Sequence, residues 1–120
     1  MNFLFHELKG EKIAELPSGG MQIAGVEEAL DLLGNAEYLG ASMIIIYKED
    51  LLDDFFDLST GIAGDILQKF SNYRKRLAII GDFSIINSKS LRDFIFESNK
   101  FGNILFVDSL SEALERLSSY

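Results

Sequence analysis

Ser59, Thr60, Gly61 and Gly64 combine residue types that do chemistry with a spacing that lets them act together. Two hydroxyls and two glycines three apart open an amphipathic stretch, Ile62 to Leu67, shortly after an apolar run, Met43 to Tyr47. A helix starting there offers free backbone N–H groups and the positive end of its dipole, a place suited to a phosphate or to an acidic partner group. Glycine lets such a ligand or a partner backbone come close. The plainer reading is also available, with the glycines packing the helix tightly on a sheet and Ser59 and Thr60 capping it. Either hydroxyl is a place where phosphorylation would change the local charge strongly.

Carboxylates mark the ends of the apolar runs: Glu49 and Asp50 after residues 43–47, Asp82 after 77–81, and Asp108 after 104–107. In open α/β sheets ligands bind beyond the carboxyl ends of strands. There such acids can hold an oxygen-coordinated cation such as magnesium, or Asp50, Asp82 or Asp108 can act in acid catalysis. They also cap the helices that follow, and capping is the expected role. His6 is the one histidine, set within an early strand, and is read as structural. Glycine-rich phosphate loops and the G-x-S-x-G nucleophile elbow are absent. No catalytic, cofactor-binding or metal-ligating residue is therefore assigned, and no cofactor is expected. Asp82-Phe83-Ser84-Ile85-Ile86-Asn87 places three large apolar residues in a strand–helix connection. Loops usually stay polar, so Phe83, Ile85 and Ile86 form either a partner surface or a lid on the core.

The elements that position these residues are legible in the hydrophobic pattern. Residues 3–8 and 11–16 flank Lys9-Gly10, a tight hairpin turn. Pro17-Ser18-Gly19-Gly20 begins a loop. Val26, Ala29, Leu30 and Leu33 make a helical stripe that Gly34 or Gly40 ends. Runs at 43–47, 77–81 and 104–107 are apolar without alternation, as strands covered on both faces are. Helical patterns over 60–76, 89–99 and from Leu110 to Leu117 separate and follow them, the last opened by the capping box Ser109–Glu112. A hairpin followed by strand–helix units predicts one α/β domain over residues 1–120.

Composition agrees. With 48% hydrophobic and 25% charged residues, the chain folds rather than staying disordered. Ten Phe and no Trp predict a phenylalanine-rich core, and the lack of Cys excludes disulfides and thiolate metal sites. A net charge of −8 repels a phosphate backbone, so nucleic acid is not an expected partner. Its one basic cluster, Arg74-Lys75-Arg76, falls where the helix over 60–76 should end and is read as a solvated terminus. The opening residues lack a signal peptide's basic and apolar regions. No apolar run approaches the length of a membrane span. The chain is expected in the cytoplasm, away from membranes.

Three segments resemble the bacterial domain-of-unknown-function family 4180: Phe55 to Phe70, Leu77 to Phe83, and Ser88 to Asn99. That resemblance covers nearly the whole chain and implies no activity. The order of elements, and the ending Ile104 to Leu114, are also similar to STAS domains, the fold of sulfate-transporter tails and anti-sigma-factor antagonists. The antagonists carry an Asp-Ser-Ser/Thr-Gly motif whose first serine is phosphorylated. Leu58-Ser59-Thr60-Gly61 aligns with it, placing Ser59 at the modified position and Leu58 where the motif has aspartate. The resemblance implies a STAS-like fold and a non-catalytic regulatory domain with a protein partner and a possible phospho-switch. The alternatives are a small-molecule or nucleotide module using the Gly61/Gly64 helix start, and an enzyme using the strand-end acids. A homodimer through an exposed edge strand stays open.

Overall fold

A computed structural model describes residues 1–118. β1 (Leu4–Leu8) and β2 (Glu11–Glu15) pair antiparallel across Lys9 and Gly10, which have φ of 52° and 81°. Two positive φ angles give the turn the twist that a two-residue hairpin needs. Then come α1 (Val26–Tyr38), β3 (Met43–Tyr47), a 3₁₀ turn (Lys48–Asp50), α2 (Asp53–Phe56), a second 3₁₀ turn (Leu58–Thr60) and α3 (Ile62–Asn72). β4 (Arg76–Ile80), α4 (Lys89–Phe101), β5 (Ile104–Val107) and α5 (Leu110–Ser118) complete the order. The single sheet has five strands in the order β1-β2-β3-β4-β5, with β2 to β5 parallel. This is the predicted mixed α/β architecture of a hairpin followed by alternating helices and parallel strands.

Both faces of the sheet are covered, which explains the strands without alternation. On one face Ala14, Ile44, Ile46, Leu77, Ile79 and Phe106 pack with buried residues of α1 and α3, and Phe94 and Ile95 of α4 join them. On the other, Ile13, Ile45, Ala78, Ile80, Leu105 and Val107 meet Ala113 and Leu117 of α5. Phe55, Phe70 and Phe106 are buried, but Phe5, Phe96 and Phe101 are exposed, so the phenylalanines are only partly a core feature. No described helix is long and apolar enough to cross a membrane.

Spatial order follows chain order, so the strand sequence never reverses. The crevice of doubly wound sheets forms where it does reverse, so a hollow at the strand ends must be built by the connections that follow the strands. A correction concerns residues 60–76. Gly61 turns left-handed, with φ 76°, and separates the Leu58–Thr60 turn from α3, which ends at Asn72. Arg74-Lys75-Arg76 is therefore not a solvated helix terminus. Arg74 is left-handed, Lys75 is nearly buried in an ion pair with Glu37, and Arg76 lies in β4. α1 runs through Gly34 and turns out at Gly40, with φ 79°.

Candidate functional site

The connections after β3 and β4 carry most of the predicted site. After β3, Asp57 closes the turn before α3: its Oδ1 accepts from the Ser59 N–H at 3.0 Å and from the Ser59 hydroxyl at 2.6 Å. The hydroxyl bond first, then the backbone bond, holds the Asp57 carboxyl below the usual carboxylate range. Thr60 Oγ1 has carbonyl oxygens of Asp54 and Asp57 at 2.8 and 2.9 Å and accepts from the Ile62 N–H at 3.2 Å. Both hydroxyls thus hold the turn locally, but the N-cap of α3 is Gly61, so neither Ser59 nor Thr60 caps that helix, and both residues stay exposed. Gly61 and Gly64 are also exposed, and a Cβ at either would meet no atom within 4 Å. The tight-packing reading of the two glycines is overturned: the space beside them is open.

After β4, Asp82 Oδ1 accepts from the Ser84 N–H at 3.0 Å and from its hydroxyl, bonds that lower the Asp82 pKa, the hydroxyl bond foremost. Lys48 Nζ donates to the Asp82 carbonyl at 2.8 Å and sits 5.8 and 5.4 Å from the Phe56 and Phe83 ring centres. Gly81 makes that approach possible, since a Cβ there would fall 2.5 Å from Lys48 Cβ. Phe83 meets Phe106 edge-on at 5.2 Å and Phe56 at 6.3 Å, so it caps the core and joins the two connections. Ile86 is half-buried, and Ile85 is 67% exposed. The apolar loop therefore divides: Phe83 serves the core and Ile85 faces outward. Lys48, Phe56, Gly81 and Asp82 line a cleft of about 390 Å³ between the two connections.

The strand-end acids hold chain rather than meet one another. Ser18 donates to Glu49 at 2.7 Å, which lowers the Glu49 pKa, and the Gly19 N–H donates to Asp50 Oδ1 at 2.9 Å. Buried Asp50 also accepts from the Ile23 N–H through its carbonyl at 2.7 Å, anchoring residues 17–23. The Asp108 N–H donates to Glu112 at 3.0 Å as part of the α5 cap. Among the described residues, no three His, Asp or Glu side chains form a metal-binding group.

One polar cluster went unread in the sequence. On the sheet face opposite α1 and α3, the buried Glu15 carboxylate accepts the Tyr47 hydroxyl at 2.7 Å, and His6 Nε2 lies 2.7 Å from its other oxygen. Burial, then the Glu15 hydrogen bond and charge, push the Tyr47 phenol up to about 12. The residues lie on β1, β2 and β3, so the cluster ties the hairpin to the parallel sheet. Its sequence signal is faint: one acid ending the apolar run of β2, with partners nine and 32 positions away.

A family model matches residues 8–117. No curated protein and no solved structure is a match to the chain. Covering nearly the whole chain, the match shows that this protein belongs to the family described as Domain of unknown function (DUF4180).

Proposed function

We propose that this chain is a non-catalytic regulatory or protein-interaction domain of the bacterial cytoplasm, which meets a protein partner through the connections after β3 and β4. The exposure of Ile85, 67% at a loop beside Phe83 and Ile86, carries the reading. A large aliphatic side chain held out by a loop that otherwise folds onto the core is available for a contact. Ser59 and Thr60 lie on the neighbouring connection, tied to it through Phe56 and Phe83. A phosphate on Ser59 would face the Asp57 carboxylate that its hydroxyl now donates to. Repulsion would open that turn and weaken the contact, in line with the STAS-like resemblance of Leu58-Ser59-Thr60-Gly61.

Affinity capture from native cytoplasm with the wild type, Ile85→Asp, Ser59→Asp and Ser59→Ala tests this, with mass spectrometry of the native protein for phosphate. A partner lost with Ile85→Asp and Ser59→Asp but kept with Ser59→Ala supports both surface and switch. Equal capture by all four removes the reading. The second reading, a small-molecule or nucleotide site at the α3 start, draws on the open space beside Gly61 and Gly64. A nucleotide panel that leaves the melting temperature unchanged at about millimolar ligand counts against it.

A further inference from the structure

We propose that the groove between α3 and α4 binds a small anionic amphiphile, a carboxylate with an apolar tail, whose carboxylate Arg74 holds. This site lies at the amino ends of β4 and β5, the end of the sheet opposite Ile85, and stands independently of the proposed interaction surface. The groove encloses about 610 Å³, within the range of small-molecule sites. Leu67, Phe94 and Ile104 give it an apolar lining. Its charged lining is Arg74, Lys75 and Arg76 against Glu97 alone, in a chain of net charge −8. Three consecutive basic residues at an apolar groove match a ligand with one negative charge and an apolar body. Glu97 disfavours a multiply charged one.

Two of the three cations are committed. Lys75 pairs with Glu37, and Arg76 donates to the Gly102 carbonyl at 3.2 and 2.8 Å and to the Leu117 carbonyl at 2.6 Å. Arg74 is exposed, and its guanidinium has no hydrogen-bond or ion-pair partner among the described residues.

The backbone at Arg74 points the same way. The Lys75 N–H donates to the Phe70 carbonyl at 3.0 Å and the Arg74 N–H to the Ser71 carbonyl at 3.0 Å, with Arg74 at φ 56°. This is a Schellman ending, whose left-handed position favours glycine. α1 ends through the same two bonds, from Ala41 to Ala36 at 2.9 Å and from Gly40 to Glu37 at 3.1 Å, with glycine in that position. α4 also turns out at a left-handed glycine, Gly102. Among the described left-handed helix endings, α3 alone sets a large side chain there, against the local preference. Strained backbone positions are often found at binding sites, and a guanidinium's fork of donors fits a carboxylate.

Calorimetric titration of the full chain with sodium decanoate below its micelle concentration tests the proposal. Butyrate, decanol and anionic phospholipid vesicles serve as comparison probes, and Arg74→Gly and Arg74→Lys as variants. Decanoate should bind saturably, with butyrate and decanol each at least about tenfold weaker. Arg74→Gly should melt about 2–4 °C higher without ligand, because the strain is relieved, yet bind decanoate at least about tenfold more weakly. Arg74→Lys should keep part of the affinity. The higher melting temperature shows that the loss is not misfolding. The proposal is overturned by no saturation up to about 1 mM, by equal binding of decanol, by unchanged binding in Arg74→Gly, or by binding to vesicles alone.

Discussion

Replacing Gly64 with alanine should make the protein more stable. Gly64 is the third residue of α3, its φ lies outside the left-handed region, and an added methyl would meet no atom within 4 Å. The substitution therefore brings no clash, while it removes glycine's excess freedom in the unfolded chain and raises helix propensity. The gain is about 0.5–1 kcal/mol. An unfolding entropy of about 2.1 cal/mol/K per residue gives about 250 cal/mol/K for 120 residues, so the melting temperature should rise by about 2–4 °C. Gly81→Ala is the opposing control. Its methyl would fall 2.5 Å from Lys48 Cβ and 2.8 Å from Lys48 Cδ, so the lysine must move off the Asp82 carbonyl and the two rings. It should melt lower than wild type. Scanning calorimetry of the three proteins reads both signs. A lower melting temperature for Gly64→Ala would refute the reasoning, because it would mean that α3 sits closer to its surroundings than the open space allows. The same variant bears on function: if a nucleotide approaches at this glycine, the methyl should abolish its thermal shift, whereas capture of a partner through Ile85 should persist.

Two further outcomes follow from the packing. The Tyr47 phenol titrates at about 12 in the fold, against 10.0 ordinarily, so its stabilisation is present below pH 10 and is lost as pH rises toward 12. A shift of about two units corresponds to about 2.7 kcal/mol at most. Partial exposure of the ring reduces this to about 1 kcal/mol. Urea titrations across this range should show the loss in wild type and not in Tyr47→Phe. Phe106→Ala removes a buried ring that Phe83 and Phe94 meet edge-on at 5.2 and 6.1 Å. It should cost about 3–5 kcal/mol by urea unfolding, and a loss below about 1 kcal/mol would show that the three rings do not form a shared core.

Much of the fold was legible because its signals are local. Lys9-Gly10 specifies its own turn, and the apolar runs at 43–47 and 104–107 coincide with β3 and β5. Residues 48–60 were harder, because α2 is a single four-residue turn whose Phe55 is held by the tertiary core rather than by helical periodicity. The site was less legible still. Whether Gly64 packs or stands open depends on what lies across from it, and Phe83 and Ile85 differ in fate because Phe106 and Phe56 face one of them. Glu15 looks like the polar end of a strand until pairing of three strands brings His6 and Tyr47 to it. The basic trio misled because left-handed Arg74 ends α3 early, a choice that residue type argues against.

The sequential strand order bears on where this domain can use a ligand. Without a reversal there is no crevice between divergent strands, and α1, α3 and α4 contribute to the core on a single face of the sheet. Hollows then form between neighbouring helices or between the connections that follow the strands. α3 and α4 each begin near the connections carrying Ser59 and Ile85, and each ends at the basic groove. The two candidate sites are therefore separable by point mutation but share both helices. If decanoate in the groove changes the affinity of a partner at the opposite end, linkage requires that the partner change decanoate affinity by the same factor. Ile85→Asp, aimed at the proposed partner contact, should abolish that reciprocal effect while leaving decanoate affinity in the free domain unchanged. A fall in that free-domain affinity would mean that the two ends are coupled through the packing of α3 and α4 even without a partner.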